Sequence, residues 1–326
     1  MISVIIPTYK GSRFLSRAID SVLLQKNVDF EIIIVDDNSP ESLERKKTEH
    51  VMEKYVSLRN VKYIKHKQNF NGSVARNTGI KYASGEYISF LDDDDFYLPD
   101  RLSICLNEIE NNEGDMVYTD ALIVGSDINY ISATKSGNLF KELLMNDMLI
   151  GTGSNLFFNR KIIDQFGEFK ENLLRHQDYE FLLRMFSHGV VTHAIDKCLV
   201  VKATNGTNNQ ARYLVFRNVK KELSEEFKHD IDKLPKSTIK KIFIYQHQQL
   251  LWTALSDGNE EGMLMEEKEL KKLGFVDNKI SLKKIAKRLH VFDVLKKFID
   301  GKRYRTLQKR HKQEYLYAKY YMAKYE

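Results

Sequence analysis

Twice within the first hundred residues a mainly apolar run ends in consecutive aspartates. Glu31-Ile32-Ile33-Ile34-Val35 runs into Asp36-Asp37, and Tyr87-Ile88-Ser89-Phe90-Leu91 runs into Asp92-Asp93-Asp94-Asp95. A strand that is apolar on every residue, not on alternate ones, is buried on both faces, as in a parallel sheet covered by helices. The intervening segments fit that plan. Ile2–Ile6 is another apolar run, and Val61–Lys65 reads as a strand. Ser12–Gln25 places Phe14, Leu15, Ala18, Ile19, Val22 and Leu23 on one helical face, and Ser39–Val56 and Val74–Ala83 read as further helices. The alternation predicts an α/β domain with a mainly parallel sheet. Ligands of such sheets bind beyond the carboxyl ends of the strands, so the two acidic ends are expected to share one rim.

The chain has 326 residues, more than an average single domain, and predicts a main domain with an appendage. No apolar stretch reaches the roughly 20 residues that span a bilayer, and the start, Met1 to Pro7, lacks the basic flank of a signal peptide. Cys105 and Cys198, the two cysteines, sit in apolar surroundings. They read as buried thiols of a reducing, cytoplasmic compartment. Charge is unevenly spread. Residues 281–326 hold 14 Lys and Arg against 4 Asp and Glu, a net +10, and since the whole chain carries +6, residues 1–280 carry −4. Such asymmetry points to an anionic surface as partner of the tail.

Four successive aspartates are costly, because like charges repel and each buried ion costs several kcal/mol (roughly) without compensation. One reading is a solvated acidic turn. The other is a site for a hard divalent cation, Mg²⁺ or Mn²⁺, which prefers carboxylate and diphosphate oxygen. Ordered elements on either side, with Phe96-Tyr97-Leu98-Pro99 following, favour a site. A second polar cluster, His176-Gln177-Asp178-Tyr179-Glu180, precedes a helical run through Phe181, Leu182, Met185 and Phe186. Ala203–Arg212 reads as an exposed loop, and the chain after Pro235 as helical to its end.

Five short matches in order make the chain resemble the family-2 glycosyltransferases, inverting enzymes of the GT-A fold. They are Val4-Ile5-Ile6-Pro7-Thr8-Tyr9, Ile34-Val35-Asp36-Asp37-Asn38-Ser39, Gly72-Ser73-Val74-Ala75-Arg76-Asn77-Thr78-Gly79, Phe90 to Asp95, and Gln177 to Arg184. The resemblance covers roughly residues 1–205. It implies a GT-A domain at 1–210, followed by a helical extension at 211–280 and a basic amphipathic tail at 281–326. It implies transfer of a sugar from a nucleotide diphosphate, a UDP-sugar, to a glycan hydroxyl, with a bacterial, lipid-linked acceptor in surface polysaccharide synthesis. Carried over residue by residue, Pro7, Thr8 and Tyr9 border the base, and Asp37 accepts from the uracil N–H. Arg76 lies near base and phosphates, Asp92 or Asp93 touches ribose, and Asp94 binds Mn²⁺ or Mg²⁺. Asp178 takes the acceptor proton from its place at a positive helix end. Many relatives carry Glu before that Asp; here it is Gln177. Some relatives supply a histidine metal ligand from the loop after the last core strand, and Lys202–Arg212 contains none.

The tail admits two readings. Leu282, Ile285, Leu289, Phe292, Leu295 and Ile299 recur at helical spacing beside Lys283, Lys284, Lys287 and Arg288. This stripe suits the cytoplasmic surface of an anionic membrane, with Tyr315, Tyr317, Tyr320, Tyr321 and Tyr325 at headgroups. It equally suits packing on the enzyme or on a second subunit. Nothing else points to nucleic acid. Two rival functions are a sugar-phosphate nucleotidyltransferase, of whose phosphate loop only Lys10-Gly11-Ser12-Arg13 is present, and a non-catalytic membrane scaffold.

Overall fold

The computed structural model describes residues 1–112, 114–125, 128–146, 149–151, 153–173, 175–203, 212–275 and 311–325. The chain divides into two compact units. One comprises Met1–Leu139, Met148–Gly206 and Arg305–Glu326, the other Phe140–Asp147 and Thr207–Tyr304.

The first unit is built on one twisted sheet. Strands β1 (Ile2–Thr8), β2 (Phe30–Asp36), β3 (Val61–Lys65) and β4 (Tyr87–Phe90) form its parallel half, in the order β3-β2-β1-β4. The continuous apolar runs are buried as their composition requires: Ile5, Ile33 and Phe90 lie in register across three strands and are fully buried. The crossovers are α1 (Ser12–Leu23), α2 (Leu43–Met52) and α3 (Gly72–Tyr82). Helix α1 turns Leu15, Ala18, Ile19 and Val22 into the core. Helix α2 starts later than its charge pattern suggests, because the Ser42 hydroxyl accepts from the Arg45 N–H and caps it there.

Beyond β4 the sheet departs from the mainly parallel expectation. Strands β5 (Phe96–Tyr97), β6 (Met116–Val124), β7 (Ile128–Ile131), β8 (Phe157–Asn159) and β9 (Thr192–Ala203) extend it as β4-β8-β6-β9-β5. Strand β8 is antiparallel to both β4 and β6, and β5 is antiparallel to β9. Strands of two or three residues show no period that a sequence pattern can reveal. Helix α4 (Arg101–Asn111) follows β5, and a 3₁₀ turn, Gly153–Asn155, precedes β8. Helices α6 (Lys161–Phe166) and α7 (Gln177–Ser187) lie between β8 and β9.

The chain's last helix, Lys312–Ala323, belongs to this unit. Ala318 and Tyr321 are buried, the Tyr321 ring packs 5.0 Å from Phe96, and its hydroxyl donates to the Arg17 carbonyl at 3.1 Å. Tyr325 donates to Asp20 at 2.7 Å. This corrects the expectation that the terminal tyrosines gather at lipid headgroups: Tyr321 and Tyr325 find hydrogen-bond partners and apolar cover on the protein, and Tyr320 is the one that stands out, 75% exposed. The apolar stripe from Leu282 to Ile299 and the loop at 204–211 lie outside the described residues. Among the described residues no helix is long and apolar enough to cross a membrane.

The second unit is helical: α5 (Phe140–Met145), α8 (Tyr213–Glu226), α9 (Lys228–Asp232), α10 (Lys236–Asp257) and α11 (Glu260–Lys272). Helix α10 starts directly after Pro235 and stops at Gly258, whose φ of 71° suits a glycine. Tyr213, Phe216, Leu250 and Ala254 form a small core. Beside it the buried Glu266 accepts from the Tyr213 hydroxyl at 2.6 Å and meets Arg217 at 3.2 Å and His247 at 2.5 Å.

Candidate active site

The two acidic strand ends emerge side by side, since Thr8 of β1 is paired with Asp36 and the Leu91 N–H donates to the Ile5 carbonyl. Pro7 and Thr8 are the last residues of β1, and Tyr9 stands beyond them, 48% exposed. The chain then turns through Lys10, at φ 58°, to Gly11. Asp93 sits over this turn. The Tyr9 N–H donates to its carboxylate at 3.3 Å, and a Cβ on Gly11 would lie 1.9 Å from the same oxygen. Only glycine lets Asp93 come so close.

Asp92 meets Arg76 of α3 at 2.7 Å, and the same guanidinium donates to the Gln177 side chain at 3.0 Å. One arginine therefore joins the aspartate run to the start of α7. Gln177 is held in turn by donating to the Leu173 carbonyl at 2.9 Å. Its neutral amide accepts from Arg76 where a carboxylate would form an ion pair. Asp178 lies in the first turn of α7, half-buried, and accepts from the Tyr179 N–H at 3.0 Å.

Ser154 and Arg17 shape the run from behind. The Ser154 hydroxyl accepts from the Asp92 N–H at 3.0 Å and donates to Asp95 at 2.6 Å. Asp95 is fully buried and takes the Ala203 N–H at 3.2 Å. Arg17, held against the Phe14 and Phe96 rings, donates to the Asp94 carbonyl. Arg101, buried in α4, donates to Thr119 and to the Ser154 carbonyl and so ties α4 to the turn that holds the run. Burial is the main reason the aspartates resist ionisation, and their mutual repulsion adds to it. Asp93 is pushed up to about 7, Asp94 to about 6 and Asp95 to about 8. Lys202 opposes the shift at Asp94 and Asp95.

Asp37 differs from its expected role. It is 2% exposed, and its oxygens are taken by His66 Nδ1 at 2.7 Å, the Phe70 N–H at 3.0 Å and the Asn69 amide at 2.8 Å. A carboxylate so enclosed does not present itself to an incoming base; it fixes the Asn69–Phe70 turn at the rim. His188 Nδ1 donates to the Arg184 carbonyl at 2.8 Å and the ring packs on Phe166, a structural position.

The structure thus brings Asp92–Asp95, Arg76, Tyr9 and Asp178 to one rim. Sequence reasoning missed Arg17, Ser154 and Lys202. Two left a trace: a lysine inside the apolar run Leu199 to Ala203, and an arginine on the buried face of α1. Ser154 left none. Among the described residues no three His, Cys, Asp or Glu side chains are arranged to hold an ion alone. The donor chemistry still fits a hard dication, because the rim gathers carboxylate oxygens, the ligands such an ion prefers. Such an ion takes its remaining ligands from diphosphate and water.

The family model described as glycosyl transferase family 2 matches residues 3–167. An uncharacterised glycosyltransferase of Rickettsia conorii is 33% identical over 217 residues, which are 64% of this chain and 33% of that protein. The chain thus spans about a third of that relative's length. The poly(ribitol-phosphate) β-N-acetylglucosaminyltransferase TarP of Staphylococcus aureus is 34% identical over 168 residues, half of each chain. The fold is similar to that of S. aureus TarS residues 1–349, with a TM-score of 0.62 at 17% identity over 96% of this chain and 91% of that one. The same TarS fragment solved with UDP-GlcNAc gives a TM-score of 0.57, again at 17% identity, over 96% and 92%.

Proposed function

The chain belongs to glycosyl transferase family 2, and from that premise we propose that it moves a sugar from a UDP-sugar to a glycan hydroxyl with inversion, in the synthesis of a bacterial surface polysaccharide. The observation that carries this reading is the joint made by Arg76, which bonds Asp92 on one side and Gln177 on the other. It sets a charge-starved carboxylate run beside a helix whose first turn carries Asp178. An inverting transfer needs that pairing: a place for the leaving diphosphate and, opposite, a base for the acceptor.

In this reading Pro7, Thr8 and Tyr9 border the nucleoside, with exposed Tyr9 the ring available to the base. Asp37 acts by holding the Asn69–Phe70 turn. Asp92 or Asp93 meets ribose, Arg76 faces the phosphates, and Asp94 holds Mn²⁺ or Mg²⁺. The ion supplies a Lewis acid for the departing diphosphate. Asp178 accepts the proton of the attacking hydroxyl. The acceptor is a growing or lipid-linked glycan. Attachment to the inner face of the membrane, or to a second subunit, falls to the part of the basic tail that precedes the terminal helix. The test is UDP release from UDP-sugars on addition of glycan acceptor, with Mn²⁺ and with chelator. Release only with metal supports the reading. A protein that releases UDP equally in chelator has no metal-dependent site, and one that releases pyrophosphate from a nucleoside triphosphate and a sugar phosphate is a nucleotidyltransferase.

A further inference from the structure

Lys202 is the penultimate residue of β9, and its neighbours Leu199, Val200, Val201 and Ala203 are buried. In the antiparallel ladder Phe96 faces Val201 and Tyr97 faces Val200. Extended by one residue, that register sets Lys202 opposite Asp95. The adjoining contact agrees: the Ala203 N–H reaches the Asp95 carboxylate at 3.2 Å. Burial works to strip the proton from this ammonium. Through space the charges of Asp95, Asp92, Asp178 and Asp94 overrule it, and the lysine holds its proton more tightly than an ordinary one. This cation is therefore shared by Asp92, Asp94 and Asp95 of the run and by the residue assigned as base. Two arginines also reach the run, Arg17 at the Asp94 carbonyl and Arg76 at Asp92, where it is shared with Gln177.

We propose that Lys202 is a built-in cation of the donor site, which balances the Asp92–Asp95 carboxylates when no donor is bound and turns its charge to the diphosphate when one is. The inference rests on the donor-site reading above. A fixed ammonium inside the cluster repels a dication, so the empty site holds Mn²⁺ weakly. Once a diphosphate has entered, its negative charge draws on both cations, and lysine and metal act together. The proposal also supplies a charge at the end of the last long strand, where this chain has lysine and no histidine.

Lys202→Met keeps the length and the apolar stem and removes the charge. In calorimetric titration of the nucleotide-free protein, the variant binds Mn²⁺ on the order of tenfold more tightly than wild type, as removal of a like charge several ångströms from the ion requires. In chelator it binds UDP on the order of tenfold more weakly, because the diphosphate has lost its resident cation. Lys202→Arg restores both values toward wild type, which separates charge from folding. Unchanged Mn²⁺ and UDP affinities in a folded Lys202→Met protein overturn the role of Lys202 and leave the donor site standing. A wild-type protein that binds neither Mn²⁺ nor UDP overturns both.

Discussion

The two acidic strand ends look alike in sequence and are opposite in the fold. At the end of β2 both carboxylates are fully bonded, although burial still pushes Asp37 above the ordinary carboxylate value. Asp36 is fully buried, meets Arg45 at 2.9 Å and takes the Tyr63 hydroxyl at 2.6 Å, while Asp37 takes His66, Asn69 and a backbone N–H. After β4 the charges outnumber their partners. Burial pushes Asp93, Asp94 and Asp95 to about 7, 6 and 8, even with Arg76 on Asp92, Arg17 on the Asp94 carbonyl and Lys202 acting through space. The first end uses carboxylates as structural joints. The second stores negative charge that a ligand can neutralise. What separates a joint from a site is the supply of donors, and donors come from residues distant in sequence.

If the second end is the site, the largest effect lies in turnover. Asp178→Asn should lower transfer by about 10²–10⁴, the range for loss of a general base, while UDP affinity holds. Steady-state rates and UDP titration of the variant check this. A variant that keeps its rate and loses UDP affinity moves Asp178 into the nucleotide pocket and breaks the division of labour across the rim.

If the first end is a joint, its damage appears in stability. Arg45→Met leaves Asp36 buried without its ion pair and should cost about 3–5 kcal/mol in denaturant unfolding. A loss below 1 kcal/mol (roughly a surface pair's worth) would mean that Asp36 is not held as the structure implies.

A third effect is a dependence on pH. In the folded protein Asp95 releases its proton near 8, against 3.8 for an ordinary aspartate, so between those values the folded chain keeps a proton that the unfolded chain has lost. Stability therefore falls as pH rises through that window, and Asp94 and Asp93 add the same sign over narrower ranges. In chelator the melting temperature should drop from pH 5 to pH 8, and Asp95→Asn should flatten the drop. Added Mn²⁺ should flatten it as well. A wild-type melting temperature that rises over this range in chelator would show that the run is already compensated.

The parallel half of the sheet was legible because β1, β2 and β4 are mostly apolar runs and α1 has an apolar face of period 3.6. The other half, in which β6 and β9 are parallel and β5, β7 and β8 pair antiparallel, was not. Phe96–Tyr97 and Phe157–Asn159 become strands only by pairing with β9, β4 and β6, a tertiary effect that short runs do not announce. In the candidate site the family resemblance pointed to Asp92–Asp95 and Asp178, which the fold brings to one rim, whereas the enclosure of Asp37 was not legible. Its partners His66, Asn69 and Phe70 lie 29 to 33 residues on. Lys202 was passed over in a search for histidine. The terminal helix was read by charge, although Tyr321 and Tyr325 carry the contacts that decide its place.

The central claim is that the run after β4 holds a donor diphosphate together with a divalent ion. Calorimetric titration of UDP into wild type and Asp94→Ala, each with Mn²⁺ and with chelator, tests it most directly. The account predicts that Mn²⁺ tightens UDP binding to wild type and leaves Asp94→Ala at its chelator value. Equal UDP affinity in all four titrations, or full metal enhancement in Asp94→Ala, would contradict it.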